Sequence, residues 1–479
     1  MRLDEYARHD ATDLAALVRS GEVDPAELAA CAAAAAEAVD PTLNALVGPI
    51  DENAPWTSDA PFSGVPVLSK SGHGRAGGPL GAGTRLLAGR TVPVDDVFSA
   101  RIRASGVAFV GATTAPEFGL YAVTESRLHG ATRNPWDPSR SPGGSSGGAS
   151  AAVAAGIVPV ATSGDGGGSI RTPAHCTGVF GLKPSRGRTP FEANHFFNLS
   201  VNHVTTRTVR DSAAFLDVTQ GAHPGARSLI PPPSRPFSAE VDREPGRLRI
   251  GFATELAGFA TAGPDSADAV GRTAALLADL GHDVAEASPG VGWAGFFDAF
   301  LRAWTHALPW SVGRLERLLG RPAEPEELEV MTWRYRRHGE TVTVADLLDA
   351  DQAFRAASRA VDDYFDAFDL WLTPTAVTPA PRIGDFDPSD TDETAAEYSY
   401  RVLRDYSAFT PLLNVTGHPA ASVPARHGAG GLPIGVQLVG RAAGEAELLR
   451  VCAQLETANP WQQRTPPIWA GSAAGGGAS

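Results

Sequence analysis

Residues 141–188 read SPGGSSGGASAAVAAGIVPVATSGDGGGSIRTPAHCTGVFGLKPSRGR, two glycine clusters around an apolar run. The first cluster is Gly143-Gly144-Ser145-Ser146-Gly147-Gly148 and the second is Gly164-Asp165-Gly166-Gly167-Gly168-Ser169. Glycine is poor inside regular elements, but it lets the backbone take positive φ or approach a ligand closely. Residues 149–155 are strong helix formers, and Gly156 can stop that helix. Residues 157–162 read as a short buried strand. The layout is loop, helix, turn, strand, loop, which predicts that the two serine-bearing loops meet.

Composition narrows what such a site could serve. The chain has 479 residues, enough for several domains or one large α/β unit. Its net charge of −14 disfavours a nucleic-acid or anionic-membrane surface. Cys31, Cys176 and Cys452 are odd in number and far apart, so they form neither a metal pattern nor a disulfide framework. Three reduced, buried thiols are expected. The opening residues MRLDEYARHDATD are charged at once and lack the apolar core of a secretory signal. The longest apolar stretch, 29–36, is far short of a membrane span. These features predict a soluble, cytoplasmic protein.

Outward from the central stretch, strands alternate with helices. Residues 10–39 predict two helices, with Asp10 or Thr12 capping the first and Asp24-Pro25 opening the second. Residues 44–47 and 64–70 predict strands, the latter ending at Lys70. A glycine-rich loop follows over 71–90, then a helix over 99–104 and a strand over 107–110. A strand over 248–252, an amphipathic helix over 266–280 and a strand from 282 form a βαβ unit. Residues 293–366 predict helices, and 369–373, 411–424 and 432–439 predict the last strands, before a helix over 445–455. The alternation implies an α/β sheet covered by helices on both faces. Residues 471–479 are small and polar and predict a disordered tail.

Three elements together resemble the amidase signature family of serine amidohydrolases. They are the GGSSGG cluster, the GGSIR run 24 positions later (169 − 145), and the upstream Gly64-Val65-Pro66-Val67-Leu68-Ser69-Lys70. Residues 414–420 and 431–437 match the family's C-terminal part, and the DGGGSIR and GLKPSRGR wording resembles its 6-aminohexanoate-cyclic-dimer hydrolase branch. The resemblance implies one domain over residues 1–470 around a mixed central β-sheet, with a helical part at about 10–40 and a catalytic core at about 61–215. It implies Ser169 as nucleophile, Ser145 as proton bridge after a cis peptide bond, and Lys70 as base. It further implies Ser146 as a support that orients Lys70 or the loop. Here Gly166 replaces a Thr or Ile that many members carry.

That chemistry has physical demands. A serine hydroxyl needs a base within hydrogen-bond reach. A lysine serves only when neutral, which takes burial without a paired carboxylate. The consecutive N–H groups of Gly166, Gly167 and Gly168 offer a nest for an oxyanion. Asp165 and Arg171 flank the loop and predict a bracing ion pair. The expected reaction is cleavage of the C–N bond of small, largely apolar linear or cyclic amides through an acyl-enzyme, without metal or cofactor. Substrate-pocket candidates are Phe118, Tyr121, His129, Phe191, Trp304 and Trp371.

Other readings fit less well. Gly144-Ser145-Ser146-Gly147-Gly148 satisfies G-x-S-x-G, but the proline-rich residues 134–140 cannot be the strand that elbow requires. Neither cluster matches a phosphate-binding glycine loop. His129, His175, His203 and His418 taken singly read as structural, and the Trp and Phe residues at 293–310 read mostly as core. The remaining alternatives are a glutaminase-type subunit of a tRNA-dependent amidotransferase, an esterase using the same site, and a non-catalytic binding protein. The expected partner is a small-molecule amide, with no nucleic acid or membrane, and the chain is expected as a monomer or homodimer.

Overall fold

The computed structural model describes residues 1–191 and 197–475. Ten strands form one sheet: β1 (Pro66–Lys70), β2 (Ala108–Thr113), β3 (Val160–Asp165), β4 (Phe180–Lys183), β5 (Val201–Thr206), β6 (Arg249–Phe252), β7 (Asp283–Glu286), β8 (Leu370–Pro374), β9 (Ala420–His427) and β10 (Pro433–Gly440). Their spatial order is β7-β6-β8-β10-β9-β4-β5-β3-β1-β2. The first three strands run parallel to one another, as do β6, β7 and β8. The strands between them pair antiparallel, so the sheet is mixed.

Helices cover both faces, and β8 shows why its sequence is apolar throughout. Successive strand residues point to opposite faces. Leu370 and Leu372 pack with Val270, Leu277 and Leu448, whereas Trp371 packs with Tyr364 and Phe365. A strand buried on both faces has no polar side to display. The βαβ unit is present, with helix Pro264–Asp279 joining parallel β6 and β7. The three cysteines are buried and unpaired. Among the described residues no helix is long and apolar enough to cross a membrane.

The N-terminal helices form as expected. Asp10 caps Ala11–Ser20 by accepting from Asp13 N–H, and Gly21 ends it in the left-handed region. Asp24 caps Pro25–Leu43 with proline in its first turn. Three expectations need correction. Residues 44–47 are not a strand: Asn44, at φ 51°, terminates the preceding helix, and only Leu46 bridges the sheet, to Thr113. The strand expected at 157–162 starts at Val160, because Pro159 has no N–H for a ladder, and it runs on to Asp165 along β5. The strand expected from 411 begins only at Ala420. Pro411–Thr416 is a helix, opened by proline in its first turn and ended by Gly417 at φ 83°. Of the residues expected as a disordered tail, 471–475 fall in the 3-10 helix Ala470–Gly475 and 476–479 lie outside the described ones.

The helix that follows Ser146, Gly147–Ala154, is pressed against the ends of β1 and β2. A Cβ on Gly148 would stand 2.4 Å from Thr114 Oγ1 and 2.6 Å from Thr114 O. A Cβ on Gly271, in helix Pro264–Asp279, would meet nothing within 4 Å. Gly148→Ala is therefore expected to cost about 1–3 kcal/mol of stability through overpacking against backbone. Gly271→Ala should instead gain up to about 1 kcal/mol from helix propensity. Denaturant unfolding of the two variants checks this; equal midpoints would show that the helix is not held as described.

Candidate active site

Lys70 closes β1 as the last residue of a fully buried strand. Its N–H donates to Thr162 Oγ1 on β3 at 2.9 Å, which fixes the end of the strand. Its Nζ donates to Ser145 Oγ at 2.7 Å and to Ser146 Oγ at 2.9 Å. Ser146 Oγ in turn donates to the Gly164 carbonyl at 3.3 Å. The Gly144–Ser145 peptide bond is cis. Lys70, Ser145 and Ser146 are all buried, and among the described residues no carboxylate pairs with the amine. Burial pushes the Lys70 amine down to about 7; the negative charge of Asp165 opposes this and is outweighed. Lys70 and Lys183 are the chain's only lysines, and both are buried.

Asp165 is occupied elsewhere. Its Oδ1 accepts from Arg171 Nη2 at 2.9 Å, and its Oδ2 accepts from Arg171 Nε at 2.9 Å, a two-pronged ion pair in the interior. Arg171 also donates to the Thr410 carbonyl, Gln437 Oε1 and Asn414 Oδ1, at 2.7–2.9 Å. Burial alone would raise the Asp165 carboxyl. The charge and hydrogen bonds of Arg171 override it and hold the group well below the usual carboxylate range. A buried pair of this kind survives because its remaining donors and acceptors are satisfied. It ties the glycine loop to helix Pro411–Thr416 and to β10.

The loop 166–168 is glycine for steric reasons. A Cβ on Gly166 would lie 2.7 Å from Ser200 Oγ, and one on Gly167 would lie 3.3 Å from Phe300 Cζ. Gly168, at φ +136°, would place a Cβ 2.3 Å from Thr410 Oγ1. Gly168, expected among the oxyanion donors, has its N–H donating to Asp165 Oδ1 at 2.7 Å. The N–H groups of Gly166, Gly167 and Ser169 have no acceptor among the described residues.

Ser169 is half-buried and sits where two cavities meet. The first cavity is apolar, lined by Tyr121, Phe300, Leu301, Tyr398 and Val402 among others, with no charged side chain. The second holds Lys70, Ser145 and Ser169 together. Trp304 faces both. Ser169 joins the serine pair through its backbone: its carbonyl accepts from Ser146 N–H at 3.2 Å. Its own hydroxyl makes no hydrogen bond among the described residues.

Of the expected pocket residues, Phe118, Phe191 and Trp304 line the second cavity, and Tyr121 lines the first, with its hydroxyl 2.6 Å from Thr332 Oγ1. Two do not belong. His129 borders a separate cavity beyond β2, beside Leu128 and Gly111. Trp371 is buried against Tyr364 on the covered face of β8. Sequence reasoning missed Tyr398 and Asn414, whose roles arise from contacts across more than 200 residues of chain. It also missed His73, only three positions after Lys70, whose presence in a glycine-rich loop was the one available signal.

A family model described as Amidase matches residues 26–449. A 6-aminohexanoate-cyclic-dimer hydrolase of Pseudomonas sp. (strain NK87) is 37% identical over 480 residues, covering 96% of each chain. Its namesake in Paenarthrobacter ureafaciens is 36% identical, again over 96% of each chain. A solved structure of 6-aminohexanoate cyclic dimer hydrolase complexed with substrate is 34% identical, with a TM-score of 0.88 over 96% of this chain and 99% of that one. With the family model spanning most of its length, the chain belongs to the amidase (amidase signature) family and is an amide-cleaving hydrolase.

Proposed function

We propose that the chain hydrolyses small, largely apolar amides, linear or cyclic, through an acyl-enzyme formed on Ser169. One observation carries the proposal: a buried lysine amine, brought down to about 7 and without a carboxylate partner among the described residues, lies 2.7 Å from Ser145 Oγ in the cavity that holds Ser169. The similarity to hydrolases named for a cyclic dimer supports including cyclic amides.

In this reading Ser169 Oγ attacks the amide carbon. Its proton passes to Ser145, and Ser145 gives its own proton to the neutral Lys70 amine. The hydrogen bond between Ser169 and Ser145 closes on substrate binding, as such contacts often tighten only in the loaded enzyme. The N–H groups of Gly166, Gly167 and Ser169 receive the negative charge of the tetrahedral intermediate. Collapse breaks the C–N bond, and the proton returns from Lys70 through Ser145 to the leaving amine. Water then repeats the sequence and releases the acid. Ser146 keeps Lys70 oriented, while Asp165 and Arg171 hold the loop. Nucleophile, base and acid are all side chains, so no cofactor is required.

The substrate is a free small molecule, and the enzyme works in the cytoplasm as a monomer or homodimer. Esters fit the same machinery. A glutaminase subunit is not favoured, because the similar full-length relatives are named as hydrolases.

A fluorophosphonate probe should label the protein at Ser169, and Ser169→Ala should abolish labelling and amide turnover together. Labelling elsewhere with turnover intact would overturn the nucleophile assignment. Lys70→Ala should lower kcat/KM by roughly 100- to 10,000-fold, the usual worth of a general base. A depressed amine is active only when deprotonated. In the wild type, kcat/KM should therefore rise about tenfold per pH unit below about 7 and level off above it. A flat profile from pH 5 to 9 would count against a lysine base.

A further inference from the structure

Beyond the reacting groups, the second cavity contains polar atoms that the mechanism leaves unused. Gly164 pairs with Asn202 across β3 and β5. Asn202 is 5% exposed, and its Oδ1 has no hydrogen-bond partner among the described residues. Leaving a buried acceptor unpaired is costly, so such an atom calls for an explanation. His73 stands on the other side of the same glycine. A Cβ on Gly164 would lie 3.1 Å from His73 Nε2 and 3.2 Å from Asn202 Oδ1, so glycine keeps open the space on which both converge.

The hydrogen bonds around His73 favour one placement of its proton. Nδ1 lies 3.1 Å from Thr162 Oγ1, and that oxygen already accepts the Lys70 N–H. Among the described residues, the Thr162 hydroxyl proton has one acceptor, His73 Nδ1. A neutral imidazole then carries its proton on Nε2, facing the cavity. Burial, followed by the nearby Lys70 charge, pushes His73 down to about 3, so the ring stays neutral through the working range. The result is one donor and one acceptor, both uncharged, in the cavity that holds Lys70, Ser145 and Ser169.

We propose that His73 and Asn202 bind a second amide group of the substrate, one that is not cleaved: His73 Nε2–H donates to its carbonyl oxygen, and Asn202 Oδ1 accepts from its N–H. The preferred substrates are then neutral compounds with two amides joined by apolar chain, which fits an apolar first cavity on one side of Ser169 and a polar pair on the other. This rests on Ser169 as the point of attack.

The test uses N-butyl alkanamides of matched length, with and without a second amide two to six methylene groups from the scissile one. Products are read by mass spectrometry for the wild type, His73→Phe, Asn202→Leu and Asn202→Ser. Fluorophosphonate labelling of Ser169 selects the variants that keep a folded site. The wild type should favour at least one diamide over its matched monoamide by about tenfold in kcat/KM, mainly through KM. Each substitution should erase most of that ratio, as expected when one partner of a buried hydrogen bond is lost. Wild-type turnover with no diamide preference, or a preference that survives in His73→Phe and in the folded Asn202 variants, would overturn the subsite while leaving the amidase reading intact. Failure to cleave any member of the series would count against the amidase reading, and the subsite would fall with it.

Discussion

An amine removed from water, with no carboxylate paired to it among the described residues, is the constraint around which this structure is built. Isolated burial of an ammonium is expensive enough that the group gives up its proton instead. At the end of β1, Lys70 meets two hydroxyls and a strand end, none of them charged. The same lysine facing a free carboxylate would keep its proton and be useless as a base. Among the described residues the carboxylate whose charge acts on Lys70 is Asp165, and the fold engages it with Arg171, Asn414 and backbone N–H groups. The interior ion pair thus does two things at once. It shapes the glycine loop, and it keeps a carboxylate from pairing with Lys70.

The sheet supplies the geometry that this chemistry needs. Parallel β1 and β3 end side by side, so Lys70 and Gly164–Asp165 emerge at the same edge. Helix Gly147–Ala154 carries Ser145 and Ser146 to that edge, pressed close by glycines that leave no room for a Cβ. Ligands in α/β proteins gather at the carboxyl ends of parallel strands, and this site follows that rule. From the far half of the chain, Trp304 walls both cavities, while helix Pro411–Thr416 anchors Arg171 through Asn414.

Much of this was legible in the sequence, for reasons that differ by residue. Ser145, Ser169 and Lys70 stand in short motifs at fixed spacing, and an apolar run ending in lysine already implies a buried strand end. Asp165 and Arg171 could be paired because they lie six positions apart on one loop. Composition alone could not place His129 or Trp371, since an aromatic side chain serves equally as core or as pocket wall. Pro411–Thr416 looked like a strand because a short apolar run carries no period that separates strand from helix. Asn202 was invisible because its meaning depends on the β3–β5 register, and the loss of the Gly168 N–H to Asp165 is a matter of loop conformation.

With only two lysines in the chain, the central claim is open to direct observation. Carbon-13 labelling of the lysine ε-position gives two resonances, and Lys70→Met identifies the one from Lys70. Followed by NMR against pH in the free enzyme, that resonance should titrate near 7, more than three units below an ordinary lysine. Titration near 10 would contradict an uncharged base at the end of β1.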